Sequence, residues 1–412
     1  MKVLFLTGDV PWPTDTGARI RTFNLIKHSQ GAAEVTLLTM AQDTSYAERS
    51  AQMKEHCAEV LYVQRTPMSR LGMVTGLIKS LWSPRPFISD KHQFGPYVQK
   101  IAELCYSGQY DVVHCDSISL AAAVPADCPI PTLLTEHNME AVIWERYYEE
   151  EKNPLKRKYI HEQYKKVARF EGEMCRKFDI VAAVSEDDRL RLAQSYKVHN
   201  VVVVPNGVDT DYFHPIPSET IPNSMVFTGS MDWRPNQDAI GYFVDAIWPL
   251  ILQKCPSAHA WIVGRRPSDK LISIGKTEQG ITVTGRVDDV RAYSAPAAVY
   301  IVPLRIGGGS RLKILEALAM QKAVISTTIG AEGLDVRNGE DIVLADTPEE
   351  FAARVLELFD RPAFRARLGE VGRTLVLEKY DWRKVAKTQI AAWEQAIAVR
   401  REKVKAEGTQ GA

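Results

Sequence analysis

Three consecutive glycines, Gly307, Gly308 and Gly309, stand between an apolar run, AVYIVPL, and the helical pattern SRLKILEALAM. A phosphate can approach the amides of such a corner because no Cβ stands in the way. A helix starting near Ser310 adds unpaired N–H groups and the positive end of its dipole, which together suit an anion. Arg311 and Lys313 fall in the expected first helical turn, where they oppose the dipole by a few tenths to about 1 kcal/mol. An anionic ligand removes that conflict. One turn on, Glu316 is a carboxylate able to accept both hydroxyls of a ribose. A plain tight turn with two solvated cations fits the same residues, and a lone glycine cluster is weak evidence. The glycine run, the two cations and Glu316 together favour the anion site.

Such a corner needs a strand before it and a helix after it. Short β-branched runs alternate with helical periodicity along the whole chain, the signature of parallel sheets built from βαβ units. The first series is KVLFLTG, EVTLLTM, EVLYVQ, DVVHCDS, PTLLTEH and DIVAAVS; the second is SMVFTGS, AHAWIVG, ITVTGR, AVYIVPL, AVIST and DIVLAD. Between them VVVVPNGVDTDYFHPIPSETIPN passes from a last strand into a Pro-, Asn- and Asp-rich linker. This predicts an α/β chain of two doubly wound domains, 1–215 and 216–385, followed by an amphipathic C-terminal helix and polar tail, 386–412. That helix is long enough to reach back to the first domain. Within the first domain, Asn153 and Pro154 read as the cap and first position of a helix with Ile160, Tyr164, Val167 and Met174 on its buried face. In open parallel sheets ligands collect at the carboxyl ends of the strands, where the glycine corner would lie.

Composition narrows the function classes. The 412 residues exceed the usual size of one core. Lys plus Arg is 51 and Asp plus Glu is 51, so no global charge favours a nucleic-acid partner. The six cysteines have no paired two-residue spacing, so buried free thiols in a reducing compartment are expected. MKVLFLTGDVPWPTD is too short in its apolar run for a signal-peptide core, and no stretch approaches eighteen apolar residues, which reads as a cytoplasmic chain without a membrane span.

PLRIGGGSRLKILEALAMQKAVISTTIGAEGL, taken with GSMDWRPN, VVPNGVD, TGRVDD and TEHN, resembles the retaining glycosyltransferases of family 4. Their fold, GT-B, has two Rossmann-like domains facing across a cleft. The closest resemblance is to bacterial exopolysaccharide-associated sugar transferases. It implies a nucleotide-diphosphate sugar as donor, with Glu316 holding its ribose. The family's first glutamate falls on Gly308, and its diphosphate-gripping Arg and Lys fall on Ser230 and Asn236. Arg311 and Lys313 are then the natural replacements, with Arg234 close by. Gly17, in PWPTDTGARIRTFNLI, matches the loop that meets the donor phosphate, although Pro11, Pro13 and Gly17 also suit a surface turn. His137 matches a histidine that contacts the donor sugar, with Asn138 and Glu140 as weaker companions. Gly330 and Glu332 follow another strand end; Glu332 fits a sugar hydroxyl or an ordinary loop acid equally.

The resemblance thus implies His137, Arg311 and Lys313 as catalytic groups and Gly17, Ser230, Arg234, Asn236, Gly307, Gly308, Gly309, Ser310, Glu316, Gly330 and Glu332 as donor-binding ones. No metal or cofactor is expected, because amides and cations supply the positive charge and no Asp-x-Asp pair is suited to a bound divalent ion. The implied acceptor is a glycan or a lipid-linked sugar. Residues 65–89 carry four cations, no acid and apolar residues at helical spacing, fitting either an anionic membrane surface or a helix packed on its own domain. An epimerase or phosphorylase of similar fold, or a degenerate transferase serving as a binding subunit, are the competing readings. A dehydrogenase is disfavoured, since GDVPWPTDTGAR lacks the close glycine fingerprint.

Overall fold

The computed structural model describes residues 1–41, 46–65, 72, 75–77, 80–90, 94–306 and 311–410. The glycine corner, Gly307, Gly308, Gly309 and Ser310, lies outside the described residues, as does part of the basic stretch 65–89. The chain divides into two compact units, one of residues 1–205 with 385–412 and one of residues 206–384.

The first unit is built on seven parallel strands: β1 (Lys2–Thr7), β2 (Glu34–Ala41), β3 (Glu59–Gln64), β4 (Val112–Cys115), β5 (Thr132–Glu136), β6 (Ile180–Ala183) and β7 (Val201–Val203). Their order is β3-β2-β1-β4-β5-β6-β7. Strands β4 (VVHC) and β6 (IVAA) are buried at every position, as strands of a parallel sheet covered on both faces are. The edge strand β3 has only exposed and half-buried positions. The strand order reverses between β1 and β4, so a crevice is expected at their carboxyl ends.

Helices of this unit include α1 (Gly17–His28), α2 (Gly95–Cys105), α3 (Glu140–Glu150) and α4 (Pro154–Lys177). Asn153 caps α4 by accepting from the amides of Leu155 and Lys156. The buried face of α4 is not the apolar one expected: Val167 is buried, but Gln163 and Glu171 are buried beside it, while Ile160, Tyr164 and Met174 are only half-buried. Gln163 is tolerated because its amide accepts from Phe87 N–H at 3.1 Å and donates to Ser80 Oγ at 3.2 Å.

The second unit carries six parallel strands: β8 (Ile221–Thr228), β9 (His259–Val263), β10 (Ile281–Gly285), β11 (Ala297–Val302), β12 (Val324–Ser326) and β13 (Val343–Leu344). The order is β10-β9-β8-β11-β12-β13, reversing between β8 and β11. One core cluster on this sheet includes Phe227, Phe243, Trp248 and Phe351; another includes Tyr300, Ile314, Leu315 and Leu318. Two helices matter for the site, α5 (Arg234–Tyr242) and α6 (Leu312–Ala319).

The division falls at Pro205–Asn206 rather than near residue 215. The linker-like composition misleads here because Phe213 packs into a core of the second unit and Tyr212 lies under the Arg291 guanidinium at 3.7 Å. The final helix, α7 (Trp382–Gln410), joins the first unit from Val385 onward. Its Trp393 is buried there and its Lys403 reaches the Asp179 carboxylate at 2.8 Å. All six cysteines are free, four of them buried. Among the described residues no helix is long and apolar enough to cross a membrane.

Candidate functional site

In the second unit the side chains singled out by the sequence gather at the β8/β11 strand ends, where the order reverses. Gly229 and Ser230 follow β8, α5 brings Asn236, and α6 brings Lys313 and Glu316. The Lys313 ammonium donates to Asn236 Oδ1 at 2.7 Å and lies 4.0 Å from the centre of the Phe227 ring. Asn236 is itself held by donating to Ser230 O at 2.8 Å. A Cβ on Gly229 would stand 2.8 Å from the Asn236 amide nitrogen and 2.9 Å from Lys313 Nζ, so the missing side chain makes room for this pair.

Burial pushes Lys313 down to about 7; Glu316 opposes the shift and Arg311 adds to it. Burial pushes Glu316 up to about 7, with Lys313 opposing. Among the described residues nothing hydrogen-bonds the Glu316 carboxylate. An acid and a base, three residues apart on one helix face, therefore both titrate near neutrality, and an incoming anion would favour the protonated ammonium.

Arg311 departs from expectation. The described helix begins at Leu312, and Arg311 is its cap residue, in the left-handed region at φ 52° and without a side-chain cap bond. Non-glycine residues rarely adopt that region unless the surroundings hold them there. Here its buried guanidinium donates to Ile329 O at 2.9 Å and pairs with Glu332 Oε2 at 3.3 Å. Arg311 and Glu332, chosen separately from sequence, are thus one clamp joining the start of α6 to the loop after β12. Gly330 lies in that loop, and a Cβ there would meet Ser326 Oγ at 2.3 Å and Val302 O at 2.9 Å, so close packing accounts for the glycine. Arg234 is exposed at the first position of α5.

Arg265, which follows β9, is absent from the sequence candidates. Its Nε donates to Ser230 Oγ at 2.9 Å, and that hydroxyl in turn donates to Asp232 Oδ1 at 2.6 Å. The signal that could have found it is its place just past a strand's carboxyl end, in WIVGRRPSD.

In the first unit, Gly17 opens α1, capped by Thr16, whose side chain accepts from Arg19 N–H at 3.5 Å. The Arg19 guanidinium bridges Asp9 and Asp15 at 2.5 and 2.8 Å, tying the loop to the helix. His137 follows β5 and is partly exposed; its Nε2 lies 2.6 Å from the main-chain oxygen of Asp116, at the end of β4. Asp116 Oδ2 accepts from the Thr22 hydroxyl of α1 at 2.5 Å. His137 and the helix opened by Gly17 therefore meet through Asp116, a residue absent from the sequence candidates. The cap residue of α3 is Met139, without a side-chain cap bond, and the first amide of the helix, on Glu140, donates to Glu171 Oε1 at 2.6 Å.

Two family models match this chain, "Glycosyltransferase Family 4" over residues 16–212 and "Glycosyl transferases group 1" over residues 222–361. The chain belongs to glycosyltransferase family 4. An uncharacterized 44.6 kDa protein in the cps region of Klebsiella pneumoniae is 22% identical over 399 residues, 93% of this chain and 97% of that one. The phosphatidyl-myo-inositol mannosyltransferase of Mycobacterium tuberculosis is 28% identical over 52% of this chain and 60% of its own. Among solved structures, sucrose-phosphate synthase from Thermosynechococcus elongatus superposes with a TM-score of 0.72 at 16% identity, covering 97% of this chain and 99% of that one. Anabaena HepE in complex with UDP gives 0.67 at 16% identity, covering 95% and 98%. The two Rossmann-like units of this glycosyltransferase are accordingly of the GT-B type.

In this family 4 glycosyltransferase, the two places expected to hold the diphosphate-gripping cations carry Ser230 and Asn236 instead. Each is hydrogen-bonded to a cation from elsewhere, Arg265 and Lys313 respectively. Of the basic stretch 65–89, the described Leu81 and Trp82 are 45% and 79% exposed. Lys166 of α4 fastens that turn by donating to Ser80 O at 2.6 Å and Leu81 O at 2.9 Å.

Proposed function

We propose that the cluster at the β8/β11 ends binds the nucleoside diphosphate of a sugar donor, and that the enzyme transfers the sugar with retention at the anomeric carbon. The observation that carries this reading is the Lys313–Asn236 pair beside Glu316, a desolvated cation and a carboxylate without a hydrogen-bond partner among the described residues, at the switch point of a doubly wound sheet. Lys313 meets the diphosphate and Glu316 accepts the ribose hydroxyls. Arg311, fixed by Glu332, and Arg265 add positive charge, and the amides of the glycine corner complete the anion site.

Departure of the diphosphate leaves an oxocarbenium-like sugar, so the barrier is dominated by charge separation. Fixed cations in a poorly hydrated site stabilise that separation more strongly than they could in water. His137 contacts the sugar, and the loop at Gly17 meets the phosphate. Neither a metal nor a cofactor enters this reading.

The acceptor is a glycan or lipid-linked sugar of cell-surface polysaccharide synthesis. The similarity to a protein in a cps region supports the polysaccharide setting, and the similarity to a phosphatidyl-myo-inositol mannosyltransferase supports a lipid-bearing acceptor. Exposed Trp82 and Leu81 support contact of the 65–89 stretch with an anionic membrane from the cytoplasmic side.

The test is transfer from a panel of UDP- and GDP-sugars to lipid-linked and free glycan acceptors, with and without a chelator, reading the anomeric configuration of the product by NMR. Transfer with retention, indifferent to the chelator, is expected. Donor binding without turnover on any acceptor would favour a binding subunit, and an inverted product would end the retaining mechanism.

A further inference from the structure

Around His137, at the carboxyl ends of β4 and β5, the first unit holds polar groups that the donor chemistry above leaves unused. The Asp116 main-chain oxygen lies 2.6 Å from His137 Nε2. A carbonyl only accepts, so Nε2 carries the proton, and Nδ1 of the neutral ring is left as an acceptor. Among the described residues nothing bonds that Nδ1. The Asp116 carboxylate turns back to the same imidazole: Oδ1 is buried, lies 3.5 Å from His137 Nε2 and has no hydrogen-bond partner among the described residues, while Oδ2 is taken by Thr22.

A second imidazole stands behind. The Trp393 indole of α7 donates to His114 Nδ1 at 3.1 Å. Indole N–H only donates, so His114 carries its own proton on Nε2 and gives it to Thr135 Oγ1 at 2.7 Å. That Nε2 is also 3.9 Å from Asp116 Oδ1. Burial holds His114 down to about 3, so it stays neutral and its tautomer is fixed. Oδ1 of Asp116 therefore faces the N–H edges of two imidazoles.

We propose that Asp116 is a positioning residue for His137, its carbonyl and Oδ1 together holding the ring with Nε2–H inward so that the Nδ1 lone pair receives a substrate hydroxyl. The role rests on the reading of His137 as a substrate contact. The charged and titratable groups around the carboxylate are Arg21 from α1, Tyr97 from α2, His114 and Cys115 from β4, and His137 itself. Burial pushes the Asp116 carboxyl up, but His137, His114 and the Thr22 hydroxyl outweigh it and hold it below its ordinary value. It remains an anion, acceptor-only toward both rings.

The experiment uses the full chain. In wild-type protein, ¹⁵N imidazole NMR should show His137 as the Nε2–H tautomer; the Nδ1–H tautomer would overturn the proposal without any variant. Asp116→Asn can keep the Thr22 bond through its oxygen but sets an NH₂ group against two N–H donors. It should populate the Nδ1–H tautomer of His137 and lower kcat roughly tenfold or more, with donor KM little changed. In a His137→Gln background the same change should cost nothing further. If His137→Ala alone leaves kcat intact, the reading of His137 fails and this role falls with it. If His137→Ala slows transfer while Asp116→Asn leaves both tautomer and kcat as in wild type, the role of Asp116 fails alone.

Discussion

Lys313 and Asn236, on two helices that begin at adjacent strand ends, share a 2.7 Å hydrogen bond directly over the site where a side chain on Gly229 would stand. The pair has room because the residue that follows β8 is glycine.

Gly229→Ala is expected to separate binding from folding. The new methyl meets the ends of two side chains rather than main chain, so the stability cost should be roughly 1 kcal/mol. The Lys313–Asn236 bond cannot survive unchanged, and UDP affinity, read by calorimetry, should weaken about tenfold or more. A large fall in Tm with unaltered affinity would show that the pair is structural only.

Nucleotide affinity should depend on pH through Lys313. The ammonium is lowered to about 7 and an anion favours its charged form, so the Lys313 contribution to UDP affinity should be complete below pH 7 and fall as pH rises through that value, while Glu316, pushed up to about 7, ionises over the same range. Glu316 supports the charge on Lys313. In Glu316→Gln the fall should therefore begin at lower pH, and Lys313→Met should lose it and keep only the rise in affinity as Glu316 ionises. Calorimetric titrations from pH 5.5 to about 9 would read all three profiles.

Glu316→Ala and Lys313→Met should fail differently. Loss of the carboxylate removes ribose contacts made equally in ground and transition states, so donor KM rises with kcat little changed. Loss of the cation removes charge stabilisation that grows as the diphosphate departs, so kcat should fall about a hundredfold. Steady-state kinetics that show the same pattern for both would remove the division of labour.

A buried acid cluster in the first unit should make stability fall with pH. Burial pushes Glu171 up to about 7 and Glu136 well above the usual carboxylate range. Both bind more protons folded than unfolded. For Glu171 the favourable contribution is complete below about 4.5, its ordinary value, and lost as pH rises through about 7. Glu171→Gln can still accept from the Glu140 amide and bond the Tyr196 hydroxyl, which lies 2.7 Å from Glu171 Oε2, so its Tm should vary less between pH 5 and about 8 than that of wild type. An equal slope in both proteins would refute this.

The strands were the most legible feature, because buried parallel strands are continuous apolar runs whose ends are marked by Gly, Pro or a polar residue. The placement of Lys313 and Glu316 on a helix that follows β11 could be read for the same reason, since a strand followed by a helix is a local pattern. What could not be read depends on partners remote in the chain. Asp116 looks like any loop acid until His137 arrives, and His114 gains its tautomer from Trp393, 279 residues away. Gln163 and Glu171 look solvent-facing by type, yet each is buried against a specific partner. Arg311, expected inside the first helical turn, is instead the left-handed cap residue and is tied to the Glu332 loop, a contact that no local pattern encodes.

The most direct measurement is a crystal structure with a bound nucleoside-diphosphate sugar. The diphosphate is predicted within hydrogen-bond reach of Lys313, with the ribose on Glu316. A nucleotide seated elsewhere, leaving Lys313 on Asn236 and Glu316 unoccupied, would contradict the account.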